Sequence, residues 1–178
     1  LHAAHEAQLQ FRSFSQEQVD RICTAMAAAG ASQAARLGRL ATEETGFGKP
    51  EDKEKKNLFA TQRVWESIAA LKTVGVIYED TVRRVLHIAE PMGIVAALIP
   101  STNPTSTVMF KALIAVKARN AIIASPHPNA QQCTREAMNV VRDAAGTPLS
   151  YYGFITDLTE RKRAEAALRE NEERYRLM

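Results

Sequence analysis

The stretch IVAALIPSTNPTSTVMFKALIAVKARNAIIASPHP, residues 94–128, decides the fold. IVAALIP at 94–100 is an unbroken apolar run, the signature of a parallel strand buried on both faces. Asn103-Pro104 then reads as the N-cap and first residue of a helix, where an imino acid loses no hydrogen bond. That helix runs through Val108, Ala112, Ile114 and Ala115 to Lys117, Arg119 and Asn120, with its cations at the negative end of the dipole. AIIASPHP at 121–128 is a second apolar strand, and another helix starts around Asn129 with Cys133, Ala137, Val140 and Val141 along it. Strand, helix, strand, helix predicts a right-handed parallel unit whose ligands bind beyond the carboxyl ends of the strands. Those ends are Pro100-Ser101-Thr102-Asn103 and Ser125-Pro126-His127-Pro128.

Upstream, Phe14-Ser15-Gln16-Glu17-Gln18-Val19 has the form of a capping box closed by a hydrophobic staple. The helix it opens carries Val19, Ile22, Cys23 and Met26 on one face, and Gly30 is the expected left-handed stop. Ser32 is expected to cap a second helix with Leu37, Leu40 and Ala41 inward, ending near Thr45-Gly46-Phe47-Gly48. Pro50, Glu51 and Asp52 suit the first turn of a third, with Leu58, Val64, Trp65, Ile68 and Leu71 as its buried side. VGVIYED at 74–80 and RRVLHIAEP at 83–91 follow as a hairpin.

Downstream, the composition changes at Thr147. YYGFITDL at 151–158 is aromatic and β-branched, hence a strand, and 159–178 is a highly charged helix. Ala164, Leu168, Asn171, Tyr175 and Met178 follow a coiled-coil heptad, with Asn171 as a polar register-setter. VVRDAAG at 140–146 can end a helix or form the arm of a hairpin. The helix is expected to win, since Cys133, Ala137, Val140 and Val141 already need burial, and to continue to about Ala145. Residues 151–158 could then add a third strand to the parallel pair.

With 178 residues, 46% of them hydrophobic, the chain can bury one core. Its net charge of +3 is too small and scattered to argue nucleic acid, and residues 147–178 hold six basic and six acidic side chains. No apolar run approaches a membrane span and no secretion signal opens the chain, so the expectation is a cytoplasmic protein without a membrane partner. Two cysteines without CxxC spacing agree with a reducing compartment. The chain starts at Leu1 and stops at Met178 in mid-pattern, which is expected of a fragment or of a gene prediction with soft ends.

The motifs FSQEQVDRIC, LATEETGFGKPEDKEKKNLFA, KTVGVIYED, IAEPMGIVAALIPSTNPTST and KARNAIIASPHPNAQQCT resemble the amino-terminal part of the coenzyme-binding domain of CoA-acylating aldehyde dehydrogenases. That group includes acetaldehyde and propionaldehyde dehydrogenases and the aldehyde half of bifunctional alcohol/aldehyde enzymes. The resemblance covers about residues 5–145. It implies an NAD-dependent oxidoreductase that passes an acyl group from a cysteine thiol to coenzyme A. It further implies that Ile99, Pro100, Ser101, Thr102 and Asn103 line the nicotinamide side of the cleft, that the Asn103 amide donates to the oxyanion, and that Ser125, Pro126, His127 and Pro128 flank the adenosine end. The family's nucleophilic cysteine lies beyond the resembling segment, and neither Cys23 nor Cys133 matches its motif. Without a thiolate the covalent step has no nucleophile.

The tail, about residues 142–178, resembles the last hairpin strand of a PAS sensor domain with its exit motif at Asp157 and Thr159 and its signalling helix. The expected architecture is therefore α/β: amino-terminal helices and a hairpin, a partial Rossmann-like βαβα unit over 1–146, then a PAS-derived strand and coiled-coil-like helix over 147–178. Three functions follow: a dehydrogenase fragment retaining part of a nucleotide cleft, a signalling or oligomerisation module with a homodimer through 159–178, or a non-functional fusion. Cys23 and Cys133 are expected to be core residues on helical apolar faces. His2 and His5 at a fraying terminus are not expected to hold a metal, and His87 reads as structural. His127, in a loop after a strand, is a candidate site residue.

Overall fold

Ser15 begins the first long helix by accepting the Gln18 amide at 3.3 Å, while the Gln18 side chain accepts the Ser15 amide at 2.8 Å. This reciprocal box satisfies two donors that a helix start leaves without intrahelical partners. The computed structural model describes residues 1–145 and 155–157. Within them, α1 (His2–Phe11), α2 (Gln16–Ser32), α3 (Ala34–Thr45), α4 (Pro50–Leu58) and α5 (Val64–Ile68) precede a hairpin of β1 (Gly75–Asp80) and β2 (Val85–Ala89). Then come β3 (Ile94–Ile99), α6 (Pro104–Lys117), β4 (Ala121–Pro126), α7 (Gln131–Ala144) and β5 (Ile155–Asp157). The architecture is α/β, as expected.

β3 and β4 pair in parallel from Ile94↔Ala121 to Ile99↔Pro126, and β5 pairs in parallel on the other side of β4, Ile122 facing Ile155. The sheet order is β3-β4-β5, so residues 155–157 do supply a third strand. The rest of 151–158 and the heptad of 159–178 lie outside the described residues. α7 runs to Ala144 with Ala145 as a right-handed C-cap, so the helix wins at the seam because Cys133, Ala137 and Val141 are buried along it.

Several expectations fail. Gly30 does not stop a helix but sits inside α2, where an added Cβ would meet Thr61 Cγ2 at 2.6 Å and Met109 Sδ at 3.0 Å. It serves close approach of helices instead. Ser32 does not cap α3; it is the last residue of α2, and its hydroxyl donates back to the Ala29 carbonyl at 2.8 Å. α3 does end as read, on Gly46 at φ 70°. Leu71 is exposed, because α5 ends at Ile68 and the chain leaves the core before reaching it. β3 is not buried on both faces: Ala97 and Ile99 are inside, while Leu98 is 73% exposed, because the described helices cover one of its faces only. Ile114 likewise lies on the outer face of α6, 39% exposed. β4, between two strands, is the one buried without alternation, from Ala121 to Ala124.

Two elements had no clear signal. α1 packs Ala4, Gln8 and Phe11 inward, and the Gln8 amide donates to the Arg119 carbonyl at 3.3 Å. A π-helical turn at Phe59–Arg63 inserts one residue between α4 and α5. Lys117, read as a dipole partner at a helix end, is instead buried. Its ammonium donates to Asp20 and to the Ala69 carbonyl and lies over the Trp65 ring at 5.3 Å.

Candidate functional site

The two strand-end turns meet. Ile99 and Pro126 are register partners in β3 and β4, and the His127 amide donates to the Ile99 carbonyl at 2.9 Å. Residues 99–103 and 125–128 therefore form one surface at the carboxyl edge of the sheet. Ser125 and Pro126 are half-buried; His127 and Pro128 are exposed. The His127 imidazole Nδ1 accepts the Asn129 amide at 3.1 Å and so caps the short 3-10 turn Pro128–Ala130. The start of α7, just beyond, is filled by the protein itself: Glu44 accepts the Gln132 amide at 2.8 Å and the Cys133 amide at 2.6 Å. An anionic group from outside would have to displace that carboxylate.

Asn103 occupies the N-cap position of α6 through its backbone, whose carbonyl accepts the Thr107 amide at 3.1 Å. Its side chain makes no capping bond, and neither Ser101 nor Thr102 takes over that role. The carboxamide oxygen instead accepts from the Lys56 ammonium at 2.9 Å. One turn earlier on α4, Lys53 donates to the Thr102 carbonyl at 2.8 Å. Lys53 is buried, and burial first, then the neighbouring Lys56 charge, lowers its pKa. Asn57 completes this polar face: its carboxamide oxygen accepts from Thr105 at 2.8 Å and its nitrogen donates to the Ala34 carbonyl at 3.0 Å. Lys53, Lys56 and Asn57 at spacings of three and four were a readable helix face, but charged residues in a charged helix look like a solvated surface.

Beside Asn103 opens a cleft of about 570 Å³ between α4, the π turn and α6, walled by Phe59, Val64, Thr107 and Phe110, with Lys56 at its polar end. A carboxamide held at the edge of an apolar cleft is an oriented dipole, able to donate to a charge that develops beside it. No thiolate is at hand: Cys23 and Cys133 are fully buried, and burial pushes both thiols up to about 12. His87 packs on Tyr78 with ring centroids 5.0 Å apart, a structural contact. Among the described residues no cluster of three or more His, Cys, Asp or Glu could hold a metal ion, and no helix is long and apolar enough to cross a membrane.

A family model described as the aldehyde dehydrogenase family matches residues 1–173. The chain belongs to that family. Among curated relatives of this aldehyde dehydrogenase chain, the bifunctional aldehyde-alcohol dehydrogenase AdhE of Escherichia coli K12 is 45% identical over 153 residues, covering 84% of this chain and 17% of the relative. The crystal structure of an acetylating aldehyde dehydrogenase from Geobacillus thermoglucosidasius superposes with a TM-score of 0.85 at 52% identity, over 89% of this chain and 35% of that one. A propionaldehyde dehydrogenase from Rhodopseudomonas palustris, TM-score 0.70 and 26% identity over 88% of this chain and 34 to 35% of that one, has been solved with bound CoA and an acylated cysteine and with propionyl-CoA. An engineered glycolyl-CoA reductase at 25% identity and TM-score 0.69, over 88% of this chain and 35% of that one, holds NADP+. The match is thus to acylating aldehyde dehydrogenases, and the chain spans about a sixth of the AdhE length and a third of the solved chains.

Proposed function

We propose that this chain supplies the oxyanion-donor side, and part of the nucleotide cleft, of an NAD-dependent, CoA-acylating aldehyde dehydrogenase, which converts an aldehyde, CoA and NAD to an acyl-CoA and NADH. The observation that carries this reading is the Asn103 carboxamide, uncommitted to capping, held by Lys56 at the edge of an apolar cleft beside the carboxyl ends of two parallel strands. When a thiolate adds to an aldehyde in that cleft, the carbonyl oxygen becomes an oxyanion, and the Asn103 amide is the donor set to receive it. Ile99, Pro100, Ser101 and Thr102 form the turn on the nicotinamide side. Ser125, Pro126, His127 and Pro128 combine a hydroxyl, an imidazole and two pyrrolidine rings, which suits an adenosine; Glu44 already takes the amides that a pyrophosphate would seek. NAD, when bound, accepts the hydride.

The thiol has to come from outside the described core, since both cysteines of the chain are buried as neutral thiols. The isolated chain is therefore expected to bind NAD weakly and to form no NADH with acetaldehyde and CoA. Titration of the ¹⁵N-labelled chain with NAD and with CoA, alongside absorbance at the NADH band, tests both points. Sustained NADH production would overturn the assignment of the thiol to another segment, and no shift at residues 99–103 or 125–128 would overturn the cleft.

A second reading treats residues 147–178 as a PAS-derived unit whose helix pairs two chains, with the dehydrogenase-like core as a platform. The heptad of Ala164, Leu168, Asn171, Tyr175 and Met178 favours it. Equal sedimentation masses with and without residues 159–178 would exclude it.

A further inference from the structure

We infer that Lys56 is a positioning residue for this chemistry, holding the Asn103 carboxamide with its oxygen toward α4 so that its Nδ2 amide is the end left to donate into the cleft. The inference rests on the oxyanion reading of Asn103 and adds the group that makes Asn103 directional. An asparagine carboxamide turns about a broad, roughly two-fold torsion, and one of its two orientations would set an oxygen against a developing oxyanion. An ammonium carries donors only, so at 2.9 Å it can donate to the carboxamide oxygen but not pair with the nitrogen. The same contact sets a positive charge against the carboxamide oxygen, which polarises the amide and makes its N–H a stronger donor.

The neighbouring geometry supports a dedicated arrangement. Lys53 and Lys56 are one turn apart on one face of α4, and they hold the backbone of Thr102 and the side chain of Asn103, two consecutive residues of the turn. Lys55, between them, also lines the cleft but pairs with Asp52 at 3.7 Å rather than with Asn103. Phe59, Val64 and Phe110 line the cleft with apolar side chains that offer the amide no competing acceptor.

The test uses the full ¹⁵N-labelled chain and its K56M, K56Q, K56R and K55M variants. Lys56 is exposed, so its replacement leaves the core intact, and unchanged resonances of β4 check that. In the wild type the Asn103 NH₂ protons should show cross-relaxation to the Thr107 and Val64 methyls lining the cleft. K56M and K56Q should lose it, K56R should restore it and K55M should leave it unchanged. Propionamide, an unreactive carbonyl analogue, then probes the donor. A carboxamide flipping freely is competent about half the time, so K56M should weaken binding roughly twofold from that effect alone. An Asn103 NH₂ signal identical in K56M and wild type would overturn the inference. If K56M changes that signal while propionamide moves no cleft resonance even in the wild type, the positioning stands and the carbonyl-site reading falls.

Discussion

Cys23 and Cys133 show how a residue's chemistry is set by its surroundings. Each lies on the apolar face of a helix with no exposed surface, and their sulfurs face the carbonyls of Leu113 at 4.0 Å and Ala130 at 3.7 Å. Burial, the largest cause in both, raises the thiols from an ordinary 9.0 to about 12; at Cys133 the nearby Glu44 carboxylate adds to it. Between those values the unfolded chain has released protons that the folded chain still binds, so the contribution to stability is complete below pH 9 and declines as pH rises toward 12. Urea midpoints at pH 8 and pH 10.5 should therefore fall further in the wild type than in C23A/C133A. Equal declines would refute the burial account. Iodoacetamide at pH 8 should label neither cysteine before unfolding. Their helical spacing made these two readable from local pattern; the oxyanion role of Asn103 was offered only by the family resemblance, because an Asn before Pro looks like a cap whichever way its side chain turns.

At the scale of elements, the crossing of α2 with the π turn and α6 decides what Gly30 does. Alanine is the better helix former by up to about 1 kcal/mol, yet its methyl would lie 2.6 Å from Thr61 Cγ2 and 3.0 Å from Met109 Sδ. Overpacking of this kind costs about 1–3 kcal/mol, so G30A is expected to lower the urea-unfolding free energy by about 1 kcal/mol net. G30A/T61S, which removes the nearest obstructing methyl, should recover most of it. Recovery failing in the double variant would mean that the backbone itself has shifted. The capping box at Ser15, the Pro50 start of α4 and the Gly46 end of α3 were legible because each is a local pattern. The polar inner face of α4 was not, since Lys53 and Asn57 are buried by what packs against them: Thr102, Thr105 and Ala34.

At the scale of the whole molecule, the hairpin stands out from the core with both faces uncovered. Val76, Tyr78, Leu86 and Ile88 are all exposed, Ile88 at 57%, and β3 adds Leu98 at 73%. Apolar surface of this extent favours association. Sedimentation of the chain should give a mass that rises with concentration, and L86K/I88K should shift it toward the monomer. A wild-type mass independent of concentration would refute this. Arg119 ties the hairpin to the rest, donating to the carbonyls of Arg12 and Ala89 from the turn that leads into β4.

The sequence by itself determined the order of the main elements from α2 onward, the parallel strand pair and the turns at its carboxyl end, because apolar periodicity, caps and proline positions act within a few residues of each other. Only the tertiary structure decided which face of β3 stays open, that Gly30 is a contact rather than a stop, that Glu44 fills the start of α7, and that Lys56 faces Asn103 across 47 positions. Those outcomes depend on which surfaces come together, and no local pattern carries that information.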